Sequence, residues 1–175
     1  MKVRLGDICE ILDHKRVPVA SNCRVNGPYP YYGANGIQGH ISDFIFDDEL
    51  VLVAEDGGNF DNKNKPIAYR VSGKCWVNNH AHVLKPKENV DVDYLCYSLM
   101  YKDVSKVVNG ATRKKLTKSS LVNLEIPLPN MQRQRVIVQI LNYCFKLIQN
   151  YQKSLCLLDE LVKSREVEQN SEVAA

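Results

Sequence analysis

The stretch MQRQRVIVQILNYCFKLIQNYQKSLCLLDELVKSREVE, which runs from Met131 to Glu168, carries the most regular pattern in the sequence. Its apolar residues recur at alternating steps of four and three positions, which is typical of the seam along which one helix of a coiled coil contacts its partner. As one helix the stretch would extend roughly 57 Å, at about 1.5 Å per residue. Steps of four and then three residues reach an apolar side chain every time: Ile137, Leu141, Cys144, Ile148, Tyr151, Leu155, Leu158 and Val162.

The predicted helix needs a partner, because no second stretch of this kind occurs in the chain. We therefore predict that the seam mediates dimerisation with a second copy or pairing with another protein. The alternative is a core helix that packs on the preceding domain of its own chain. We place the coiled-coil helix at 130–168, with Asn130 as its N-cap, and expect a frayed polar tail at 169–175.

The residues before the helix, 1–129, are expected to form one domain made mostly of short antiparallel strands. The fold class is therefore α+β, a mostly antiparallel β domain with short helices followed by one long coiled-coil α-helix. Asn35-Gly36 is the clearest turn signal and predicts a hairpin between residues 29 and 39, and Ser72-Gly73-Lys74 predicts another. Strands are predicted at 41–46, 50–54, 67–71, 75–77, 80–84 and 123–128, and helices at 5–12, 92–104 and, capped by Thr117, through Leu121.

The composition indicates a reduced protein without a membrane span. The 175 residues suffice for one domain with a core, and the six cysteines include no CxxC pair, which argues against a disulfide framework and a zinc cluster. The N-terminus carries Lys2, Arg4 and Asp7 without an apolar run, so no signal peptide is expected. No stretch approaches the length of a membrane helix. We expect a soluble, cytoplasmic protein.

Charge is distributed unevenly along the chain. The net charge of +3 is too small to indicate a nucleic-acid partner, but residues 41–62 contain seven acidic side chains and no basic one, and the windows after them are basic. The densest basic cluster would suit contacts with phosphate, and its arginine could form two hydrogen bonds with guanine. The alternative is a solvated loop. The cluster consists of Arg113, Lys114, Lys115 and Lys118.

Three further groups of side chains are candidates for DNA contacts. Asparagine can pair with the N6 and N7 atoms of adenine, lysine can contact phosphate, and tyrosine can stack. The alternatives are a plain polar loop, turn formation and core packing. The candidates are Asn59, Asn62, Lys63, Asn64 and Lys65 in a polar loop, Tyr31, Tyr32, Asn35 and Gln38 around the hairpin, and Asn78 and Asn79 after a strand.

No catalytic and no metal site is predicted. His80 and His82 lie on one face of a strand near Cys75, but no fourth ligand follows at a recognisable spacing. Asp56 together with residues 61–63 only faintly resembles the carboxylates and lysine of a nuclease. The glycine-rich cofactor loop and the Asn/Asp-Pro-Pro-aromatic motif that a methyltransferase needs are absent from the sequence.

Three segments together resemble the DNA specificity subunit of type I restriction–modification enzymes. They are ELVLVAEDGGN (Glu49 to Asn59), KCWVNNHAHVLKP (Lys74 to Pro86) and NGATRKKLTKSSLVNLEIPLPNMQRQRVIVQIL (Asn109 to Leu141). The most specific part is LEIPLP at 124–129 where it runs into the heptad helix. The resemblance covers Val3 to Val167. Family members usually carry two target recognition domains and two long helices, so this chain resembles a half-length form with one target recognition domain, 1–129, and one helix.

The resemblance implies a protein that reads DNA and performs no chemistry itself. It implies modification (methyltransferase) subunits, which use S-adenosylmethionine, and restriction subunits, which use ATP and Mg, and no cofactor for this chain. In the family, two recognition domains lie at opposite ends of an antiparallel helix pair, and each reads half of a bipartite site. We therefore expect an antiparallel homodimer on double-stranded DNA with two identical, inverted half-sites.

Two other functions remain open. A coiled-coil adaptor whose head binds protein predicts stable dimers that have no salt-dependent affinity for duplex DNA. A detached recognition domain of a fused restriction–methylation enzyme predicts that the half-sites are not self-paired.

Overall fold

The computed structural model describes residues 1–110 and 113–173, with side chains described as far as residue 165. Contacts divide the chain into two units, Met1–Arg135 and Val136–Ala175. The first unit, here called the head, extends six residues past the predicted boundary after residue 129. The reason is Gln134, which is fully buried and whose side chain accepts a hydrogen bond from the N–H of Asp91 at 2.9 Å and donates one to the carbonyl oxygen of Asn89 at 3.1 Å.

The strands of the described residues form two sheets. They are β1 (Lys2–Arg4), β2 (Cys9–Ile11), β3 (Tyr29–Gly33), β4 (Gly36–Ile41), β5 (Phe46–Ala54), β6 (Ala68–Val77), β7 (Ala81–Pro86) and β8 (Glu125–Pro127). The main sheet has the order β2-β7-β5-β6-β3-β4 and is antiparallel except between β3 and β6. β1 and β8 pair with each other in a separate antiparallel sheet.

The described residues form four α-helices, three of which begin after a capping side chain. They are α1 (Leu5–Ile8), α2 (Val92–Met100), α3 (Lys118–Val122) and α4 (Met131–Val173), and 3₁₀ turns lie at Asp13–Lys15 and Ser21–Cys23. The hydroxyl of Thr117 accepts from the N–H of Ser120 at 3.2 Å, and the side chain of Asn130 accepts from the N–H of Arg133 at 2.9 Å. Both predicted caps are confirmed, as is the α+β fold class.

The core is built on the two faces of β5. Its apolar run alternates: Val51 and Val53 belong to one buried cluster, and Leu50 and Leu52 belong to another. The first cluster includes residues of α1, α2 and α3, so helices cover that face, and the second includes Leu12 and residues of β6 and β7. Because strand side chains alternate between faces, a wholly apolar strand indicates a sheet buried on both sides.

Several predicted boundaries are wrong. β6 is one unbroken strand, in which Gly73 lies opposite Asp48 with a φ of +74°, so residues 72–74 are not a hairpin turn. The predicted helix at 5–12 ends at Ile8 because residues 9–11 pair with β7. The predicted strand at 41–46 is absent, since Ile41 ends β4 and Phe46 begins β5. α2 ends at Met100, before the predicted residue 104. Strand pairing with distant segments overrode the local patterns at residues 9–11 and 72–74.

The second unit contains helix α4 from Val136 onward, and the helix extends to Val173 rather than ending at residue 168 as predicted. Residues 174–175 of the predicted tail lie outside the described residues. Every described side chain from Ile148 to Arg165 is exposed in the single chain. The five large apolar seam residues of that stretch, which are Ile148, Tyr151, Leu155, Leu158 and Val162, are between 51% and 69% exposed. Within the described residues, no helix is both long enough and apolar enough to cross a membrane.

Candidate nucleic-acid interface

A cavity of about 590 Å³ opens on the head where several connecting segments meet. Its walls come from the β3–β4 hairpin, the turn after β5, the turn between β6 and β7, residues 18–24 and Arg113. These segments are far apart in the sequence, and the pairing of β3 with both β4 and β6 is what brings two of them together. The cavity is here called the cleft. Of the residues predicted to contact DNA, it contains Tyr31, Asn35, Gln38, Asn78, Asn79 and Arg113.

Arg113 is held at the edge of the cleft. Its Nη2 donates to Oδ1 of Asp56 at 3.2 Å, and the same carboxylate oxygen contacts Nδ1 of His80. The guanidinium lies directly against Gly57, because a Cβ atom added there would meet Nη2 at 3.3 Å. Gly57 has a φ of +65°, a left-handed conformation that glycine adopts without strain, and its lack of a side chain leaves room for the guanidinium. The Arg113 side chain is nevertheless 61% exposed.

The two lysines of the predicted basic cluster that follow Arg113 are also paired with acids. Nζ of Lys114 contacts Oδ1 of Asp61, and Nζ of Lys115 lies 2.9 Å from Oε1 of Glu55. The hydrogen bond to Glu55 raises the pKa of Lys115, and the charge of the carboxylate adds to this effect. The acidic and basic segments are separate in the sequence but interleaved in the folded head. Lys118 is exposed at the start of α3, and it is not part of the cleft.

A buried ionic network lies beneath this loop, centred on His82. Nδ1 of His82 is 2.6 Å from Oδ2 of Asp13, and Nε2 is 2.7 Å from the carbonyl oxygen of Leu116. Arg16 donates through Nη1 to Oε2 of Glu55 at 2.6 Å and to the carbonyl oxygen of Ala81 at 2.7 Å. Leu116 in turn donates its N–H to the carbonyl oxygen of Glu55 at 2.7 Å. The network therefore fixes the end of the basic loop to the main sheet.

The carboxylates of this network are held in their charged form. Burial opposes ionisation of Asp13, but hydrogen bonds from His82 and the Val83 N–H, together with the charges of His82 and Arg16, lower its pKa. Burial likewise opposes ionisation of Glu55, but hydrogen bonds from Lys115 and Arg16 and nearby positive charge lower its pKa. The sequence analysis missed this network, because its members are isolated residues at unrelated positions.

The network also contains the one group of side chains, among those the structure describes, that is close enough to hold a metal ion. Ligand atoms of Asp13, Glu55 and His82 lie within 4.8 Å of one another. Each already contacts a protein partner, and the Arg16 guanidinium supplies positive charge beside both acids, at 3.5 Å from Oδ2 of Asp13 and 2.6 Å from Oε2 of Glu55. In the sequence, Cys75 is a candidate ligand together with His80 and His82. Burial raises the pKa of its thiol to about 12, with a further contribution from nearby aspartates, and this disfavours the thiolate that metal binding requires.

Some predicted DNA contacts instead have structural roles. Asn78 is 3% exposed, accepts from the N–H of His80 at 2.8 Å and donates to Oε1 of Gln38 at 3.2 Å. Tyr31 is buried, and its hydroxyl accepts from the N–H of Val19 at 3.0 Å. These two residues shape the cleft, in agreement with the alternatives of turn formation and core packing. The exposed predicted residues of the cleft are Asn35, Gln38, Asn79 and Arg113.

The polar loop 59–65 borders two further cavities. One, of about 200 Å³, lies between this loop and residues 101–105, and the other, of about 630 Å³, lies beside the stacked rings of Tyr32 and Tyr69. The two cavities share Asn59 and Lys65, and the second shares Asn35 with the cleft. The three concavities therefore adjoin. The remaining predicted residues of the loop, Asn62, Lys63 and Asn64, are exposed, and Asn62 also forms a turn by accepting from the N–H of Asn64 at 3.0 Å.

Comparisons with known proteins agree on one family. The family model described as "Type I restriction modification DNA specificity domain" matches residues 1–156. The chain is 39% identical over 138 residues to a putative type I restriction enzyme specificity subunit, S.HindORF215P, of Haemophilus influenzae, covering 79% of this chain and 35% of that protein. The chain thus spans about a third of the length of this curated relative.

Solved structures show the same fold. The S subunit of a type I restriction-modification system from M. genitalium matches with a TM-score of 0.70 at 16% identity, over 86% of this chain and 40% of that one. The HsdS subunit from Thermoanaerobacter tengcongensis matches with a TM-score of 0.60 at 22% identity, over 88% of this chain and 39% of that one.

Proposed function

The chain belongs to the family of type I restriction–modification DNA specificity domains, and from this premise we propose that it reads half of a bipartite site in double-stranded DNA and positions modification and restriction subunits. The resemblance on which the sequence analysis relied is thereby confirmed. The observation that carries the proposal is the cleft, because it gathers polar side chains from distant segments into one concave surface. Asn35, Gln38, Asn79 and Arg113 are exposed there.

The chemistry of these side chains suits the edges of base pairs. Arginine donates to the O6 and N7 atoms of guanine, and asparagine and glutamine pair with N6 and N7 of adenine. Asn35 and Asn79 lie in tight turns and Gln38 lies in β4, and the buried Asn78 holds both the Gln38 side chain and the backbone N–H of His80. Residues with this support lose little conformational freedom when they bind. The cleft therefore provides base contacts, and the lysines of the adjoining loop 59–65 are available for phosphate.

The proposed role is recognition rather than catalysis. The carboxylates nearest the cleft, Asp56 and Glu55, are engaged by Arg113, His80, Arg16 and Lys115. Carboxylates that are paired with arginine and lysine orient those cations and are poorly placed to hold a catalytic metal. S-adenosylmethionine, ATP and Mg would then be used by the partner subunits.

A second copy of this chain is the partner proposed for α4. The seam residues from Ile148 to Val162 are exposed, and an apolar seam of this length is stabilised when another helix covers it. An antiparallel pair of two identical helices has two-fold symmetry, which would present two heads in inverted orientation. The proposed DNA site is accordingly an inverted repeat of one half-site, with a spacer set by the helix pair.

The test is to express the full chain together with a modification subunit and to map methylated positions in the exposed DNA. We expect methylation at a bipartite sequence whose halves are identical and inverted. A matched co-expression with Gln38→Ala and Asn79→Ala should alter the sequence that is methylated but not the spacing of the halves. Methylation at asymmetric half-sites would overturn the symmetric dimer, and its absence from every site would overturn the recognition role.

A coiled-coil adaptor whose head binds protein is the second candidate. One observation favours it: Arg113, Lys114 and Lys115 are each paired with an acid of the same head, which reduces the positive charge available to DNA. The adaptor predicts the same dimer but no affinity for duplex DNA that falls with rising salt concentration. Titration of a duplex with the full chain at two salt concentrations separates the two candidates.

A further inference from the structure

The way in which Arg113 is held suggests which part of the DNA it contacts. Oδ1 of Asp56 accepts from one terminal nitrogen of its guanidinium, at 3.2 Å. Gly57 lies against the same group, as its close approach to Nη2 and Nε shows. Two neighbouring residues of one turn therefore restrict the guanidinium plane, while the exposed remainder of the group keeps N–H donors for a ligand.

The acid beside Arg113 discriminates between a phosphate and a base. A phosphate brought to this arginine would lie near the negative charge of Asp56, and the repulsion would offset part of the attraction. The edge of a base pair is uncharged, so it meets no such repulsion. A paired arginine is therefore a poorer phosphate contact than a free one but an equally good, better oriented donor to a base.

The identity of the neighbouring groups agrees with a base contact. Arg113 shares the cleft with Gln38 and Asn79, which are exposed amide side chains suited to base edges. Oδ1 of Asp56 also contacts Nδ1 of His80, so the position of the carboxylate that holds Arg113 depends on the turn between β6 and β7. His80 is in turn fixed through its N–H by the buried Asn78.

We propose that Arg113 specifies a guanine in each half-site by donating two hydrogen bonds to its N7 and O6 atoms in the major groove, and that Asp56 is the residue that positions it. This inference rests on the proposed function, because it assumes that the cleft faces DNA. It goes further by assigning one base and by giving an acidic residue at the interface a role in specificity.

The experiment is selection of bound duplexes from a pool with randomised sequence by the full chain and by variants, each at the same salt concentration. For the wild type we expect a selected half-site in which one position is guanine. Arg113→Lys keeps the charge but cannot form the paired hydrogen bonds, so the preference at that position should fall about tenfold or more while the other positions keep theirs. Arg4→Lys, at an exposed position of β1, is the matched control and should select the wild-type sequence.

Asp56→Asn tests the positioning role with nearly unchanged side-chain shape. Removing the negative charge should raise the affinity for unselected DNA, because an acid at the interface repels phosphate. The same change should reduce the guanine preference, because the amide holds the guanidinium less firmly. A merely structural role for Asp56 would instead lower the affinity for all sequences together.

Three outcomes overturn the inference. The first is a selected site in which no position requires guanine. The second is an Arg113→Lys variant that selects the wild-type site unchanged, which would make Arg113 a phosphate contact and leave the proposed function intact. The third is a wild-type chain that selects no sequence at all, and this result alone would also remove the proposed function.

Discussion

The basic loop 113–115 and the seam of α4 carry two conspicuous patterns, and the structure satisfies them in opposite ways. All three cations of the loop meet a carboxylate from residues 55–61 of the same head. The seam residues from Ile148 to Val162 are exposed. An ion pair can form between any two segments that fold near each other, whereas a long apolar seam is covered by another helix. An unpaired apolar seam is therefore stronger evidence for a partner than a run of charge.

The difference also has an energetic side. The exposed ion pair between Lys114 and Asp61 contributes about 0 to 1 kcal/mol to stability, so Lys114 can exchange its carboxylate for a phosphate at little cost. Covering one leucine or isoleucine contributes about 1.5 to 3 kcal/mol. Several uncovered seam residues thus favour association far more than this ion pair opposes DNA binding.

The first prediction tests the seam and has the largest expected effect. Replacing Ile148 and Leu155 by Asn places two amides in a contact that must exclude water. The dimer dissociation constant should rise more than about hundredfold, because each change loses about 2 kcal/mol or more. Sedimentation equilibrium should then show monomers. Gln149→Asn with Lys153→Asn is the matched control, since both positions lie off the seam, and it should leave the dimer intact. If the variant with both seam substitutions remains dimeric, the prediction that the seam mediates dimerisation is wrong.

The second prediction concerns the buried network under the basic loop. Asp13→Ala leaves Nδ1 of His82 and the N–H of Val83 without their acceptor, so the free energy of unfolding should fall by about 3 kcal/mol in urea denaturation. Asp47→Ala, at an exposed position of β5, is the control and should change it by less than about 0.5 kcal/mol. Equal effects of the two substitutions would show that the network adds no stability.

The same network predicts a pH dependence. The pKa values of Asp13 and Glu55 are lower in the folded protein than their ordinary values of 3.8 and 4.5. Their stabilisation is therefore present above these ordinary values, and it is lost as the pH falls below them toward the folded-state values. Unfolding free energy measured in urea at a series of pH values should decrease in this range for the wild type and less steeply for Asp13→Ala. If the unfolding free energies of the wild type and of Asp13→Ala fall in parallel with pH, the lowered pKa of Asp13 is contradicted.

The third prediction tests whether the paired loop still contacts DNA. Replacing Arg113, Lys114 and Lys115 by Ala should weaken duplex binding and reduce the slope of log affinity against log salt by about one unit for each phosphate contact that is lost. The measurement is fluorescence titration across a salt series. The control for net charge replaces Lys2, Lys15 and Lys87 by Ala, at three exposed positions that border none of the three concavities. If the loop variant binds the duplex as tightly as the wild type does, the three cations only pair with carboxylates of the head and do not contact DNA.

The smallest expected effect comes from freeing one of these cations. Asp61→Asn removes the partner of Lys114 at a site that is exposed, so stability should change by less than about 1 kcal/mol. Duplex affinity should rise by a few-fold, because Lys114 no longer has a competing anion. A fall in affinity would mean that Asp61 orders the loop for binding. Asp159→Asn, in the second unit, makes the same change of charge outside the head and should leave the duplex affinity unchanged.

The sequence predicted the elements whose signals are local and missed those that depend on a distant partner. The caps at Thr117 and Asn130, the hairpin near Asn35 and the buried run of β5 follow from a few neighbouring residues. β1 and β2 are three residues each, too short for a period, and they exist because β8 and β7 lie beside them.

The candidate site followed the same rule. Polar residues of the cleft could be found from their type, since Asn and Arg in turns are frequent binding residues. Which of these residues are exposed and which are buried supports could not be predicted, because neighbours in the sequence differ in this respect. Asn78 is buried and Asn79 is exposed, although both belong to the same turn. The pairing of Arg113 with Asp56 spans 57 residues and carries no spacing signal.

β1 and β8 have one more consequence. Their register places Lys2 opposite Pro127, so the first and last strands of the head lie side by side. Domains whose first and last elements are adjacent tolerate exchange and insertion, because both connections are made at one place. On the proposed function, exchange of the segment between these two strands would give helix α4 a new head with a new sequence preference, while the distance between half-sites would not change.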